Sequence, residues 1–228
     1  MKNVKKALLV VLCVILLVVS SVLGTLAYLT DNESVVNTFT VGRIDIYLDV
    51  GKVDEAGAFI DQANDRVQEN KYHLIPGQSY DKDPTVKVLK DSEDAWLFVK
   101  VENNIALIEA AEGDNGYRTI ANQLTDNGWV ALKSVENVYY QAHPKSTASD
   151  TYFTVFKNFK IAGDKVVNGT PAEGEVSIDS YNTAKNADSM IKVTAYAIQK
   201  AGFDSTAKTD DQNAAEAWTA LVGQLKLN

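Results

Sequence analysis

The run Trp96-Leu97-Phe98-Val99-Lys100-Val101 decides the fold class. Its side chains are apolar at odd and even positions alike until Lys100, so neither face of an extended chain here can be left to water. Such a strand belongs in the middle of a sheet with both faces covered. Further strand-like stretches surround it. Ile44, Ile46 and Leu48 alternate with Arg43, Asp45 and Tyr47 at the end of residues 35–48, a period of two that fits a half-buried strand. Residues 85–89 follow the turn signals Pro76-Gly77 and Asp83-Pro84. Residues 129–132, 135–141, 151–159 and 176–178 continue the series, and 190–198 carry Ile191, Val193, Ala195 and Ala197 on one side. Many short strands divided by turns such as Asn115-Gly116, Asn127-Gly128 and Asn168-Gly169 predict a mainly β chain, a β-sandwich or jelly roll.

Two stretches depart from this pattern. Residues 54–70 are polar with Ala56, Phe59, Ile60 and Ala63 at helical spacing, which reads as a helical insertion or a mobile loop. Residues 213–225 place Ala214, Ala217, Trp218, Leu221, Val222 and Leu225 on one face of an amphipathic helix, with Asp210 or Asp211 as its cap. The simplest use of that face is to pack its Trp218 stripe on the sandwich. The alternative, a partner-binding or membrane-surface helix, has little support from the single Lys226 at its end.

The chain begins differently. Residues 1–6 are basic, residues 7–19 form an unbroken apolar run, and Ser20, Ser21 and Gly24 lead to Thr25-Leu26-Ala27. That order is a secretory signal peptide, cut between Ala27 and Tyr28. A retained anchor is the competing reading, because no charge occurs from Ala7 to Thr30 and about 20 apolar residues span a bilayer. With lysines before the run, either reading puts residues 28–228 outside the cytoplasm. The expected organisation is a signal peptide over 1–27 and a single β-sandwich domain over 28–228.

Charge and cysteine usage narrow the function classes. The 228 residues hold 22 Lys plus Arg and 30 Asp plus Glu, for a net charge of −8. Lys2, Lys5 and Lys6 lie in the export signal, so residues 28–228 carry 19 basic and 30 acidic groups, a net charge of −11. No basic patch is visible, which argues against nucleic acid as a partner. The only cysteine, Cys13, also lies in the signal. The remaining chain therefore has no disulfide, thiol nucleophile or thiolate zinc site.

A search for catalytic chemistry is mostly negative, although spacing alone leaves open a Ser–His–acid triad assembled in space. His73 and His143 are the only histidines, and neither belongs to a His-Glu-x-x-His pair. His73 reads as a partly exposed strand or loop residue, and His143 before Pro144 as a turn marker. No Gly-x-Ser-x-Gly elbow is present and no Gly-rich phosphate loop follows a strand. The acidic groups Asp81-Lys82-Asp83, Glu93-Asp94 and Asp31-Asn32-Glu33 could offer oxygens to calcium, yet they form no twelve-residue Asp-x-Asp-x-Asp-Gly loop and read as solvated turns. The expectation is no catalytic residue, no metal and no cofactor.

Residues 24–31, Gly-Thr-Leu-Ala-Tyr-Leu-Thr-Asp, are followed by Asn37-Thr38-Phe39-Thr40-Val41-Gly42-Arg43-Ile44-Asp45-Ile46. This joining of a Gly-Thr-x-Ala cut region to Asn-x-Phe-x-x-Gly and an alternating strand resembles the start of the TasA/camelysin family. Those are secreted proteins of Gram-positive bacteria whose signals are removed by a SipW-type signal peptidase. Residues 75–78, 96–103 and 193–199 resemble the family's later strands more loosely. The resemblance implies a jelly-roll domain, export to the cell surface or biofilm matrix, and often assembly into fibres. Some members are described as casein-cleaving metallopeptidases, an activity for which this chain offers no ligand set.

The family's fibres are understood to form by donor-strand exchange. An unpaired strand edge templates pairing with another chain, and a free β segment can complete a neighbour's sheet. Val35, Val36, Phe39 and Val41 are therefore candidates to insert into the next subunit, with Phe39 as the anchor and Gly42 as the bend. The other reading keeps this segment as the first strand of its own monomeric sheet. The resulting expectation is a secreted structural protein that self-associates and meets a membrane only through its uncut signal. A camelysin-type metalloprotease and a monomeric surface binding domain are the alternatives.

Overall fold

The computed structural model describes residues 43–145, 148–183 and 191–225. Among these residues the fold is mainly β, with twelve strands in chain order. These are β1 (Ile46–Gly51), β2 (Arg66–Val67), β3 (Ser79–Asp81), β4 (Thr85–Val88), β5 (Ala95–Asn103) and β6 (Val130–Ala131). They continue with β7 (Val138–His143), β8 (Thr151–Thr154), β9 (Asn158–Lys160), β10 (Val166–Val167), β11 (Val176–Ser177) and β12 (Ile191–Gln199). A 3-10 turn (Asp114–Gly116) and helices α1 (Ile120–Asp126), α2 (Asp179–Thr183) and α3 (Asp210–Leu225) complete the described elements.

The central strand is β5. It pairs antiparallel with β12 over nine residue pairs, Ile191↔Asn103 to Gln199↔Ala95, and with β7 from Ala95↔His143 to Lys100↔Val138. With β6 outside β7, this gives a four-stranded sheet in the order β12-β5-β7-β6. A second four-stranded sheet, β2-β1-β4-β8, has β1 and β4 antiparallel with Ile46 opposite Val88. Two small sheets, β3-β9 and β10-β11, lie beside them.

The double-sided apolar run of β5 is used on both faces. Leu97, Val99 and Val101 join Ala195 and Ala197 of β12 and meet Ile46, Val86 and Val88 of the second sheet in one core. Trp96 and Phe98 point the other way, with Tyr140, Tyr196 and Ile198, into a separate cluster closed by Ala214, Ala217, Trp218 and Leu221 of α3. The Trp218 ring lies 5.2 Å from Phe98 and 5.5 Å from Tyr196, centroid to centroid. The expected packing of the C-terminal helix on a sheet is therefore observed. Its start differs in detail. Thr209 caps it, its hydroxyl accepting from Gln212 N (3.3 Å) while the Gln212 side chain accepts from Thr209 N (3.0 Å). This reciprocal capping box leaves Asp210 and Asp211 inside the first turn, where they face the positive end of the helix dipole.

Two other expectations need correction, and two elements are new. Residues 54–70 form no helix; they are turns followed by β2. Asp54 accepts from Ala56 N and Ala58 N (2.9 Å each), and Asp61 accepts from Ala63 N and Asn64 N (3.2 Å each). These side chains capture the amide groups a helix would have used. Gly57 reinforces the break, with φ +80°, and an added Cβ there would stand 2.4 Å from the Tyr80 ring. Two helices were not expected from the sequence: the short α2, and α1, which is capped by the Thr119 hydroxyl and buries Ile120, Gln123 and Leu124. Finally, residues 151–159 are two strands: β8 pairs with β4 and β9 with β3, and Val155 and Phe156 fill the corner between them.

Candidate functional site

The sequence-predicted cleavage pair, Ala27 and Tyr28, and the donor-strand residues Val35, Val36, Phe39, Val41 and Gly42 all lie outside the described residues. The chain that follows them is described. Ile44 and Ile46 are buried while Arg43 and Tyr47 are exposed, so the alternation leading into β1 is real. On one side β1 pairs with β4 along Ile46–Asp49; on the other, β2 reaches only Val50 and Gly51. Ile46–Asp49 thus has a strand partner on one side only among the described residues.

The two histidines lie in different surroundings. His73 is exposed in a loop. His143, expected at a turn, is instead the last residue of β7, 1% exposed, with its ring 5.7 Å from Phe153 at a near-perpendicular angle. Both of its ring nitrogens lack a hydrogen-bond partner. Burial holds its pKa below the ordinary imidazole value, against the opposing pull of Asp94. A neutral imidazole is what such a site retains.

The acidic group at 81–83 is structural rather than solvated. Asp83 is 3% exposed and accepts from Gly51 N (2.7 Å), Gln62 Nε2 (2.9 Å) and Arg66 Nη1 (2.9 Å). Arg66 also binds Asp49 (2.6 Å) and the Asp83 carbonyl (3.1 Å), so it ties β2 to β1 and to the turn before β4. The Asp81 carboxylate accepts from Phe59 N (3.0 Å). Lys82 lies 5.8 Å above the Tyr72 ring, and burial pulls its ammonium down to about 8. Glu93 pairs with Lys145 (2.7 Å), and Asp94 accepts from Lys145 N. No cluster of three potential metal-ligating side chains occurs among the described residues.

Among the described residues, a cleft of about 510 Å³ is lined mainly by polar side chains and the aliphatic stems that carry them. One wall is the turn Ala56-Gly57-Ala58 with Ser79 and Asp81 of β3; the floor is Lys157, Asn158 and Lys160 at β9; the other wall runs from Asp114 to Arg118 and along α1 to Asn127. The walls are held by specific bonds. Gly57 O accepts from Asp81 N (2.8 Å). Lys160 is 7% exposed, and its ammonium binds the Asp114 carboxylate (2.9 Å) and carbonyl (3.3 Å). Arg118 forks onto Asp126 (2.8 and 2.7 Å) and reaches Glu112 (2.7 Å). The buried amide of Gln123 accepts from Lys157 N (2.8 Å) and Asn158 N (3.3 Å) and donates to Arg118 O (2.7 Å) and Asn158 O (2.9 Å), locking α1 to β9. Tyr117 donates to Glu109 (2.7 Å); burial and then that carboxylate push its phenol well above the usual range, so it stays a donor.

Sequence reasoning did not find this cleft, because its residues come from five separated segments and share no motif. The only local hint is Thr119 before Ile120-Ala121-Asn122-Gln123, a helix cap that would have placed Gln123 on a buried face. No helix among the described residues is long and apolar enough to cross a membrane. Comparisons with protein-family models, with curated proteins and with solved structures found no match to this chain.

Proposed function

We propose that this is a secreted structural protein of the cell surface or biofilm matrix, whose domain is a jelly roll and which assembles into fibres by donating its N-terminal strand. In this reading, cleavage between Ala27 and Tyr28 by a SipW-type peptidase frees residues 28–42. Val35, Val36, Phe39 and Val41 then complete a sheet of the next subunit, and Gly42 provides the bend. The observation that supports the reading most is the flank of β1. The alternating segment enters the fold directly through Ile44 and Ile46, while Ile46–Asp49 has a described strand partner on one side only. Edges of this kind accept an added strand. The resemblance at residues 24–46 points the same way.

The test compares purified protein beginning at Tyr28 with protein beginning at Arg43. Light scattering and electron microscopy should show fibres for the first and monomers for the second, with the second retaining its far-ultraviolet β signature. Fibres from both would remove the donated strand from the mechanism. Monomers from both would defeat the structural role itself.

A further inference from the structure

We propose that the polar cleft between the Ala56–Ala58 turn, β9 and α1 binds a neutral oligosaccharide or a segment of a neutral polysaccharide. Its volume of about 510 Å³ falls within the range of small-ligand sites, and its walls are already fixed by the bonds described above. What the cleft presents selects the ligand class. Three carboxylates (Asp81, Asp114, Asp126) balance three cations (Arg118, Lys157, Lys160). Arg118 is taken up by Asp126 and Glu112, and Lys160 by Asp114. A phosphate or other anion would meet the carboxylates with only Lys157 to attract it.

Apolar ligands find few apolar side chains here. The lining has only small apolar groups, Ala56 and Ala58, and its one aromatic, Tyr117, is buried. A peptide added as a strand would need a free edge, and both margins of the β3-β9 pair are occupied. Asp81 N donates to Gly57 O (2.8 Å), while Lys160 O accepts from Ala110 N (2.8 Å).

The remaining polar atoms suit hydroxyl groups. The Lys157 ammonium, the Ser79 hydroxyl and the Asn158 side-chain NH₂ have no partner within the described residues, and one oxygen of Asp81 is likewise unused. A sugar hydroxyl donates and accepts at once, so a neutral saccharide can satisfy a carboxylate oxygen and an ammonium or amide donor with neighbouring hydroxyls. Neighbouring hydroxyls of one sugar ring can therefore engage the free Asp81 oxygen and the Lys157 and Asn158 donors together.

Saturation-transfer NMR tests this on the chain beginning at Tyr28, assembled or not, using cellohexaose, maltohexaose and mannohexaose as neutral probes and hexagalacturonate as the charged one. At least one neutral hexasaccharide should receive saturation. The signal should fall at least fivefold in the double variant Lys157→Ala/Ser79→Ala and in Ser79→Tyr, which plugs the cleft. Both positions are exposed and hold no structural side-chain bond, so thermal unfolding should not change. No transfer to any neutral probe, transfer only to hexagalacturonate, or equal transfer in the variants would each overturn the proposal. The inference does not rest on strand donation: fibres counted in the same samples should be unaffected by these substitutions.

Discussion

Two regions of this molecule are held together by opposite means. On the outer face of the β12-β5-β7-β6 sheet, α3 lays Ala214, Ala217, Trp218 and Leu221 over Trp96, Phe98 and Tyr196, and burial of apolar area supplies the adhesion. Around the polar cleft and the 52–70 loop, adhesion comes from single buried polar groups: Asp83 beneath Arg66, Lys160 on Asp114, and Gln123 between α1 and β9. The first kind of contact is spread over many atoms and degrades gradually. The second concentrates several hydrogen bonds on one side chain, so one substitution undoes several joints at once, but only locally.

Substitutions on each side sharpen that contrast. The largest effect is expected for Trp218→Ala, which removes the ring between Phe98 and Tyr196 and leaves a cavity; urea unfolding should show a loss of about 3 kcal/mol. Asp83→Asn retains the shape but turns an acceptor toward Gln62 and Arg66 into a donor. The expected cost is about 2 kcal/mol, with hydrogen exchange accelerated selectively over residues 51–66. A uniform acceleration across β5 and α3 would break the comparison, because it would make the polar joint global.

A smaller effect is expected at His143. Its pKa is lowered in the fold by burial, so the folded state binds fewer protons than the unfolded one as pH falls below about 6.5. Its contribution is therefore complete above that pH and erodes as the solution is acidified toward the lowered folded value. His143→Leu should flatten this acid limb, so that less stability is lost between pH 8 and pH 5 than in the parent chain. Thermal melts at the two pH values measure it, and an unchanged difference would show that the imidazole is not the group responsible.

The same contrast explains what could be read in advance. The two-faced run at 96–101, the alternation at 43–48 and 191–198, and the stripe ending at Leu225 are local periodicities created by burial, and each led to the right element. The 54–70 segment misled because its apolar spacing mimics a helix while Asp54, Asp61 and Gly57 stop one. The buried roles of Asp83 and His143, and the cleft itself, were not legible. They depend on which distant residues meet, such as Gly51 with Asp83 or Gln123 with Lys157, and no spacing in the chain encodes that.

Strand donation is tested most directly at its anchor. Electron microscopy should be performed on the protein beginning at Tyr28, with Phe39 intact and with Phe39→Asp, at equal concentration and with matched thermal unfolding curves. Strand donation predicts fibres from the first and at least a tenfold loss of fibre number in the second, because a carboxylate cannot enter an apolar groove of the neighbouring subunit. Fibres of equal number and length in both would contradict it.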